Sequence, residues 1–557
     1  MRLHRRYRRP PHHQGHPLRR NHRRADLRED RDPPGRPHES HSHRTGGRKG
    51  QACRNTRTVI LRDLIASLNR PLVAGPLDVE ILAVTADSRL VEPGTAFVAV
   101  RGESHDGRMF IPMALERGAA AIISDTAADP DHPDHLPHIQ VGDVRHALAA
   151  FATALAGNPS RKLKLVGVTG TNGKTTTAFL LHHLMKRVWH RAGLLGTVSI
   201  DDGEESKPAN QTTPGPVELN RLLARMADHG CRGAAMEVSS HGIDQKRVDG
   251  IAFDTAIFTN LTQDHLDYHG TLDAYATTKF SWFESLAIEP LGKKPVAVVN
   301  FDDAHGEKLV SLLGERLPIL RYGFNVHCDF RANNLKQSAR GMEFELTAKG
   351  KSYLVRSPLI GRFNVYNSLA ALAAASSLKI PLRDAVAALA DAPQVPGRME
   401  FCGTRDGVTV FVDYAHTPDA LENACRTLKE LQPNRLITVF GCGGDRDKTK
   451  RPLMGKAASE LSDACILTSD NPRSEDPSAI LRDIESGMSG ARYKTVPDRA
   501  EAIRIAIHAA GKGDIVLIAG KGHETYQQFA AGSVEFDDRR EARRALAERP
   551  EEPQRKR

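Results

Sequence analysis

The sequence predicts an α/β protein of three domains. Short apolar runs typical of buried strands alternate with helix-like stretches along most of the chain, which favours parallel sheets covered by helices. At 557 residues the chain is too long for one hydrophobic core, and the alternation restarts after residues 393–396. We predict a small N-terminal α/β domain at 58–160, a central parallel-sheet domain at 161–395 and a Rossmann-like C-terminal α/β domain at 396–557.

Residues 1–57 form a basic tail. They contain 16 Arg and one Lys against five Asp or Glu, although the whole chain has a net charge of +10, so the remainder is close to neutral. Eight of them are apolar, too few to build a core, and we expect disorder. One interpretation is an electrostatic arm for nucleic acid or anionic lipid; the other is a start site assigned upstream of the true one.

The remaining composition favours a soluble protein. No run of 18 apolar residues exists and the N-terminus lacks the apolar centre of a secretory signal, so we expect a cytoplasmic chain that binds no membrane. Seven scattered cysteines never fall in C-x-x-C spacing, which argues against disulfides and zinc. We expect a monomer that does not bind nucleic acid.

Strand-like runs mark the outer domains. In the N-terminal domain they lie at 95–100 and 119–124, with a helix between them. In the C-terminal domain they lie at 408–412, 436–440, 464–468 and 514–519. In the central domain, a run at 295–300 continues a sheet that begins at Lys164.

The central domain opens with a candidate phosphate loop. A buried strand, a glycine-rich turn and a helix start follow one another over residues 164–177. Gly170 and Gly173 let the backbone N–H groups point inward, Lys174 would reach the terminal phosphates, and the Thr175 hydroxyl suits Mg²⁺. The spacing is one residue longer than the common G-x-x-x-x-G-K-[ST] pattern, and a glycine-rich turn without a ligand is the alternative.

Two further segments of this domain carry polar groups suited to Mg²⁺. Glu237 stands where a strand should end, the usual place for a site in a parallel sheet, although a structural carboxylate is the alternative. Residues 259–270 are dense in Asp and His, and His265 is the best candidate there for a second metal contact. A capping or core histidine is an equal possibility. Lys279 follows in a predicted helix.

Three polar loops follow strands of the C-terminal domain, at 441–448, 470–473 and 519–524. Arg446 and Arg473 can each grip a carboxylate through two hydrogen bonds, and Glu524 can accept from an ammonium. Such a group suits an amino acid with extra charged ends. Solvated surface charges are the alternative for any single residue.

From about Thr58 to Arg544 the chain resembles the Mur ligases of peptidoglycan synthesis. The resemblance rests on specific strings: Thr-Gly-Thr-Asn-Gly-Lys-Thr-Thr at 169–176, Glu-Val-Ser-Ser-His-Gly at 237–242, Asp-His-Leu-Asp-Tyr-His-Gly-Thr at 264–271, Gly-Arg-Phe-Asn-Val-Tyr-Asn at 361–367, Asp-Tyr-Ala-His-Thr-Pro at 413–418 and Asp-Asn-Pro-Arg at 470–473. It implies that ATP phosphorylates the D-Glu carboxylate of UDP-MurNAc-L-Ala-D-Glu, and that the amine of meso-2,6-diaminopimelate attacks the acyl phosphate.

The resemblance also implies roles for individual residues. The N-terminal domain would bind the UDP group through Ser88, Glu103, Ser104 and His105. The sugar dipeptide would contact Gln211, Thr212, Thr213, Ser239, Gln245 and Arg247, with Gln211 standing where the family often has Asn. ATP would contact Gly170, Thr171, Asn172, Gly173, Lys174, Thr175, Thr176, Asn364, Asn367, Arg398 and Asp413.

The catalytic group implied in the same way is Lys174, Glu237, His265 and Lys279. Thr175, Glu237, His265 and a carbamylated Lys279 would order Mg²⁺. Diaminopimelate would contact Arg446, Asp470, Asn471, Pro472, Arg473, Gly520 and Glu524. Similar enzymes with Arg at position 473 take meso-diaminopimelate, whereas those that add L-lysine usually lack it.

Three other functions compete with this interpretation. A ligase of the same type that adds L-lysine, and a folylpolyglutamate synthetase-like ligase, share the phosphate loop. The Thr-Thr pair after Lys174, the string at 264–271 and the loop at 470–473 weigh against the latter. A nucleic-acid-dependent NTPase that uses the basic tail belongs to another class.

Overall fold

The computed structural model describes residues 58–102, 105–490 and 492–549. The predicted tail at 1–57, with Cys53, lies outside these residues, as do Glu103 and Ser104. Within them the predicted α/β class is confirmed, since one large sheet with covering helices occupies each third of the fold. The domain boundaries stay a prediction.

The N-terminal sheet has five strands in the order β2-β7-β6-β5-β4, parallel except for β2. The strands are β1 (Val59–Ile60), β2 (Leu72–Ala74), β3 (Glu80–Ile81), β4 (Ala83–Thr85), β5 (Thr95–Val98), β6 (Ala121–Ser124) and β7 (His138–Gln140). The helices are α1 (Leu61–Ile65), α2 (Ile111–Glu116) and α3 (Val144–Leu155). Strands β5 and β6 are the two predicted runs, and α2 is the helix predicted between them.

The central sheet has eleven strands. They are β8 (Lys164–Thr169), β9 (Gly193–Leu195), β10 (Ser199–Asp201), β11 (Ser206–Pro208), β12 (Gly233–Glu237), β13 (Thr255–Phe258), β14 (Val296–Asn300), β15 (Ile319–Gly323), β16 (Phe330–Ser338), β17 (Gly341–Ala348) and β18 (Lys351–Ser357). The helices are α4 (Lys174–Trp189), α5 (Pro216–Asp228), α6 (Ser240–Asp244), α7 (Leu266–His269), α8 (Leu272–Ile288), α9 (Ala304–Leu313), α10 (Arg362–Ser377) and α11 (Leu382–Leu389).

The prediction of a parallel sheet is right for the middle of this sheet and incomplete at its edges. Strands β9-β12-β8-β13-β14-β15-β16 run parallel, whereas β10 and β11 at one edge and β17 and β18 at the other are antiparallel. Strand β17 alternates buried and half-buried residues, the pattern of an antiparallel strand with one wet face. This alternation is the sequence feature from which the antiparallel edge could have been predicted.

The C-terminal sheet has six strands in the order β19-β20-β24-β21-β22-β23, parallel except for β19. The strands, including a separate β25–β26 hairpin, are β19 (Glu400–Arg405), β20 (Val408–Asp413), β21 (Leu436–Phe440), β22 (Ala464–Leu467), β23 (Arg492–Thr495), β24 (Ile515–Ala519), β25 (Tyr526–Phe529) and β26 (Gly532–Glu535). The helices are α12 (Pro418–Lys429), α13 (Lys450–Leu461), α14 (Pro477–Glu485), α15 (Arg499–Ala509) and α16 (Asp538–Ala547). All four predicted strands are present.

The core of the central domain fixes where polar loops can gather. Helix α4 buries Leu181 and Leu184 against the sheet and packs on α10. Strands β8, β12 and β13 are adjacent and parallel, so their carboxyl ends lie at one edge of the sheet. The loops that follow Thr169, Glu237 and Phe258 therefore meet there, as is usual for parallel α/β sheets.

The described residues also bear on membrane spans and on the state of the cysteines. In that part of the chain, no helix combines the length and apolarity needed to cross a membrane. The six cysteines described there are free thiols, five of them buried.

Candidate active site

A cavity of about 530 Å³ lies at the carboxyl edge of the central sheet, between that sheet and the first loops of the C-terminal domain. Most of the residues predicted for ATP, Mg²⁺ and the sugar dipeptide line it. These are Thr171, Asn172, Gly173, Lys174, Thr175, Thr176, Gln211, Thr212, Thr213, Glu237, Ser239, Arg247, His265, Lys279, Arg398 and Asp413. Residues far apart in the sequence thus share one chamber.

The predicted phosphate loop joins β8 to α4 through two glycines that need their conformation. Gly170 has φ +140° and Gly173 has φ +86°, both in the left-handed region that favours glycine. A Cβ at Gly170 would overlap the Thr259 hydroxyl, and one at Gly173 would lie 2.4 Å from the Asn367 side chain. Helix α4 begins at Lys174, so its N-terminal N–H groups face the cavity side of the loop.

Lys174 folds back over this loop. Its Nζ donates to the carbonyl oxygens of Gly170 at 2.9 Å and Thr171 at 2.7 Å. Desolvation lowers the pKa of Lys174, while the negative charges of Glu237 and Asp264 act in the opposite direction. The ammonium is therefore held beside the turn by neutral carbonyls that a phosphate can replace.

Glu237, the last residue of β12, is buried. Its carboxylate accepts three hydrogen bonds and its backbone carbonyl accepts one. The Thr175 hydroxyl donates at 3.0 Å, and Thr197 donates through its N–H at 2.7 Å and its hydroxyl at 3.1 Å. The backbone carbonyl of Glu237 accepts from Thr213. These donors are uncharged, and one of them is the predicted Mg²⁺ ligand Thr175.

Lys279 lies inside α8, in the helix predicted for it, and is 1% exposed. Its Nζ donates to the Gly170 carbonyl at 3.1 Å and the Thr169 hydroxyl at 3.4 Å, and it lies 4.5 Å from the centre of the Tyr275 ring. Burial lowers the pKa of Lys279 well below its ordinary value, and the charge of Lys174 adds to this effect. A neutral amine is therefore favoured at this position.

His265 also faces the cavity, from a strained position. Its φ of +52° is unusual for a residue other than glycine, and strain of this kind is often found at functional sites. Its ring lies 5.0 Å from that of His241, and its Nε2 is 3.4 Å from an Asp264 carboxylate oxygen. Burial lowers the pKa of His265 to about 4, so the ring is neutral and able to serve as a ligand at neutral pH.

Asn364 and Asn367 lie behind the phosphate loop, on α10, and do not line the cavity. Asn367 accepts a hydrogen bond from Thr177 at 3.3 Å and donates one to Asn364 at 2.9 Å, which in turn donates to the Ile360 carbonyl. Both residues are buried. Their contacts fix the position of the loop relative to α10, and their nucleotide contacts stay a prediction.

Arg398 and Asp413 bring the C-terminal domain to the cavity. Arg398 donates to the Thr175 hydroxyl at 3.4 Å and stacks on Tyr414 with 4.4 Å between guanidinium and ring centre. Asp413 accepts from the N–H groups of Met399 at 2.6 Å and Ala415 at 2.8 Å, while desolvation raises the pKa of Asp413. A cationic side chain of this domain thus reaches the phosphate loop itself.

The residues predicted for the sugar dipeptide form a connected group at the other side of the cavity. Arg247 donates to the Thr213 carbonyl at 2.8 Å, to Gln211 at 2.9 Å and to Gln245 at 2.7 Å. Thr212 is bonded to Thr197 at 3.0 Å, and Thr213 donates to Ser239 at 3.1 Å. Gln245 is the member of the group that does not line the cavity.

Ser88 and His105 lie on the N-terminal domain, away from the cavity lining. Ser88 opens a short 3₁₀ helix and its hydroxyl contacts the sulfur of Met113 at 3.3 Å. The His105 ring lies 6.3 Å from that of Phe110. Glu103 and Ser104, the other two residues predicted for the UDP group, lie outside the described residues, so the UDP site stays a prediction.

The three polar loops of the C-terminal domain do meet, as the shared sheet edge predicts. Arg473 donates to the Gly444 carbonyl at 2.7 Å, which joins the loop at 470–473 to the loop at 441–448. Asn471 donates to Glu524 at 2.8 Å, which joins it to the loop at 519–524. Arg446 is held by the Asp445 carbonyl at 3.0 Å, and a Cβ at Gly520 would lie 2.5 Å from Asp470. Pro472 follows Asn471 in the same loop.

This cluster lies beside the cavity rather than in its lining. His523 connects the two, because its ring is 5.1 Å from the ring of Tyr414, which lines the cavity, and its chain neighbour Glu524 belongs to the cluster. Arg446 and Arg473 are consequently not brought into contact with the phosphate loop. They occupy a second compartment next to it.

Several residues of the site were not predicted from the sequence. Thr197 and Tyr275 line the cavity, and Asp419 contacts the phosphate loop. Lys521 is buried at the centre of the C-terminal cluster. For Lys521 a signal existed, since it stands between two glycines in a loop already singled out. Thr197 and Asp419 reach the site through tertiary contacts that no local pattern marks.

The fold and the site together define the architecture of an ATP-dependent ligase. A phosphate loop on one α/β domain is faced by Arg398 from another. Family models match three consecutive parts of the chain: "Mur ligase family, catalytic domain" at residues 80–155, "Mur ligase middle domain" at 168–375 and "Mur ligase, glutamate ligase domain" at 397–522. The chain belongs to the Mur ligase family.

Curated relatives agree with this placement. A protein of Geobacillus kaustophilus named UDP-N-acetylmuramoyl-L-alanyl-D-glutamate–2,6-diaminopimelate ligase is 46% identical over 84% of this chain and 96% of its own length. A protein of the same name from Parabacteroides distasonis is 44% identical over 87% of this chain and 98% of its own length.

Solved structures show the same fold. A structure titled with that ligase name is 36% identical, covers 88% of this chain and 99% of its own, and has a TM-score of 0.65. A folylpolyglutamate synthase of Mycobacterium tuberculosis shares the fold, with a TM-score of 0.54 at 20% identity, and covers 67% of this chain and 91% of its own.

Proposed function

We propose that this chain is an ATP-dependent ligase that joins meso-2,6-diaminopimelate to the D-Glu carboxylate of UDP-MurNAc-L-Ala-D-Glu. The observation that carries the proposal is the 46% identity to a relative of that name over 473 residues, which cover 84% of this chain. The likeness to the folylpolyglutamate synthase is one of fold alone. The product would serve peptidoglycan synthesis.

The geometry supports an order of events in the cavity. The phosphates of ATP would lie on the loop at 170–176, where Lys174 would exchange its two carbonyl partners for phosphate oxygens. Arg398, bonded to Thr175 from the other domain, would face the same phosphates. The D-Glu carboxylate would attack the terminal phosphorus of ATP, so that an acyl phosphate forms and ADP leaves. Most of the rate enhancement would come from positioning and from neutralised charge.

The residues present suit a magnesium ion. Among the described residues no three His, Cys, Asp or Glu side chains gather as a ready-made metal cage. Mg²⁺ commonly takes one or two protein oxygens and completes its shell with water and substrate phosphates. Thr175, Glu237 and His265, with Lys279, would hold the ion, which when bound would offset the negative charge of the phosphates.

We propose that Lys279 is carbamylated. Its buried position favours the neutral amine, whose nitrogen can bond to the carbon of CO₂ with release of a proton. The product carries a negative charge where the unmodified side chain carries none. Lys174 would stabilise that charge, since its own ammonium is close enough to depress the pKa of the unmodified Lys279.

The amine substrate would enter from the C-terminal compartment. Arg473 and Arg446 would bind the carboxylate of diaminopimelate that L-lysine lacks, because a guanidinium can donate two parallel hydrogen bonds to a carboxylate. Glu524 would receive an ammonium. The other amine would then point past His523 towards the cavity, where it would displace phosphate from the acyl phosphate and form the amide.

The test is phosphate release from ATP with the full chain and UDP-MurNAc-L-Ala-D-Glu, comparing meso-diaminopimelate and L-lysine as acceptors. We expect release with diaminopimelate and a product whose mass is that of the tripeptide. Release with L-lysine alone would assign the lysine-adding activity instead. Release that depends on DNA or RNA and ignores the UDP-sugar dipeptide would favour an NTPase.

A further inference from the structure

Lys521 is a buried lysine at the centre of the C-terminal cluster. It follows β24, is 0% exposed, and its Nζ donates to Asn471 Oδ1 at 2.9 Å and to Glu524 Oε2 at 3.0 Å. A carboxylate oxygen of Asp470 lies 3.7 Å away. A lysine is seldom fully buried unless its charge is compensated, and here three acceptors surround it.

The contacts of Lys521 determine how the Asn471 amide is oriented. Asn471 Oδ1 accepts from Lys521 and also from the Gln528 N–H at 3.0 Å. A flip of the amide would place its NH₂ group against these two donors. The Nδ2 atom is consequently directed to Glu524, to which it donates at 2.8 Å.

The same contacts hold the Glu524 carboxylate through only one of its two oxygens. The hydrogen bonds from Lys521 and Asn471 both end on Oε2, so the lone pairs of Oε1 remain for a further donor. The Glu524 side chain is 18% exposed, which leaves it accessible from the adjoining space. A carboxylate held by one oxygen presents the other in a defined direction.

The charges next to the Lys521 ammonium favour a cationic ligand at this point of the cluster. Asp470 and Glu524 bring two negative charges around one Lys521 ammonium, which leaves a balance of one negative charge. Arg499 lies nearby but is bonded through two nitrogens to Asp538, at 2.7 Å each, and both side chains are fully buried. The ammonium of an amino acid would complete the balance.

We propose that Lys521 is a positioning residue of the amino-acid compartment: it holds Asn471 and Glu524 so that Glu524 Oε1 receives an ammonium of the incoming amino acid. This inference rests on the proposed function. Lys521 would not itself touch the substrate. Its removal would free the amide to flip and leave two carboxylates without their shared cation.

The test compares Lys521→Met, which keeps the length of the side chain and removes its charge, with the unmodified full chain. We expect KM for meso-diaminopimelate to rise about tenfold or more, the loss expected for a misdirected charged hydrogen bond. KM for ATP should stay within about twofold because the phosphate loop belongs to another compartment. A merely structural role would change the active fraction and leave both KM values alone.

Lys293→Met is the matched control. Lys293 is another lysine bonded to a carboxylate, at 2.6 Å from Asp254, and its side chain is 10% exposed. It contacts the residues that precede β8 and β13, whereas the cavity lies at the carboxyl ends of these strands. We expect this variant to lose thermal stability without a change in KM for diaminopimelate. Circular dichroism and thermal unfolding of both variants separate folding from binding.

A double-mutant cycle tests whether Lys521 affects diaminopimelate binding by orienting Glu524. If Lys521 acts by orienting that carboxylate, Glu524→Gln and Lys521→Met should raise KM for diaminopimelate by amounts that do not multiply in the double variant. Independent effects that multiply would overturn the inference. Should Lys521→Met fail to fold, Lys521→Gln, which keeps one donor, replaces it in the same cycle.

The outcomes distinguish the two proposals. If the unmodified protein releases phosphate with diaminopimelate and Lys521→Met leaves its KM unchanged, or raises KM for ATP equally, the positioning role is wrong. If the unmodified protein shows no response to diaminopimelate, the proposed function itself is wrong.

Discussion

Asn172 of the phosphate loop donates a hydrogen bond to the carboxylate of Asp419, on helix α12 of the C-terminal domain, at 3.4 Å. The same carboxylate oxygen accepts from Thr262 at 3.3 Å. The negative charge of Asp419, from the C-terminal domain, therefore lies next to the loop of the central domain that is expected to bind the phosphates. ATP would have to bind against that charge or displace it.

The first prediction concerns this contact. Asp419→Asn removes the charge and keeps the shape, so we expect KM for ATP to fall about threefold to tenfold, since one partly screened charge repulsion is lost. Steady-state phosphate release at low ionic strength measures it. Glu422→Gln, one turn along α12 and bonded to Arg426, is the control and should leave KM for ATP unchanged. A higher KM in Asp419→Asn would mean that the contact assists ATP binding.

The second prediction concerns Lys279. With ¹³C-bicarbonate, the protein should give a carbamate carbonyl signal by NMR that is absent in Lys279→Met and present in Lys293→Met. Because protonation of the amine opposes reaction with CO₂, the signal should weaken as the pH falls towards the lowered pKa of Lys279. We expect kcat of Lys279→Met to fall on the order of 100-fold. An unmodified protein without the signal would contradict carbamylation.

The third prediction concerns Arg473. Arg473→Ala should raise KM for meso-diaminopimelate on the order of 100-fold and change KM for ATP little, because a bidentate carboxylate contact is lost in one compartment only. Arg482→Ala, at an exposed position of α14 in the same domain, is the control. The ratio of kcat/KM for diaminopimelate to kcat/KM for L-lysine should fall in the same variant. Equal rises in both KM values would count against the assignment.

The fourth prediction concerns acid stability and His523. Burial lowers the pKa of His523 to about 3, against an ordinary value of 6.5, so the folded protein keeps this ring neutral. Between pH 6.5 and about 3 the unfolded chain binds a proton that the folded protein does not, and the free energy of unfolding therefore falls as the pH is lowered through that range.

His523→Phe should make the free energy of unfolding less dependent on pH across that window, as measured by denaturant titration at several pH values. The exposed His135 provides the control, because His135→Asn should leave the slope as it is in the unmodified protein. An unchanged slope in His523→Phe would show that other groups dominate the acid dependence.

Much of the fold could be predicted because its signals are local. Strand β21 was predicted at residues 436–440 and is found there, since a run of apolar residues interrupted only by Thr438, between polar turns, marks a strand buried on both faces. Strands β10 and β11 were missed because they are three residues each and lie at a sheet edge. The hydrophobic pattern of so short an edge strand is too weak to distinguish it from a loop.

The site likewise contains features that could be predicted from the sequence and contacts that could not. The loop at 170–176 could be predicted because glycine spacing, a preceding strand and a following helix are contiguous in sequence. Nothing local indicates that Thr197 bonds to Glu237, forty residues away, or that Arg398 reaches Thr175 from another domain. These contacts depend on which strands lie side by side.

The sequence by itself determined that a nucleotide-type loop stands at the start of a central α/β domain and that arginine-bearing loops follow strands of a third one, because such features are contiguous and chemically specific. The tertiary structure decided which side chains meet: Lys279 beneath Gly170, Asp419 on Asn172 and Lys521 between Asn471 and Glu524. Burial and charge balance arise from neighbours distant along the chain, and a folded arrangement alone supplies those neighbours.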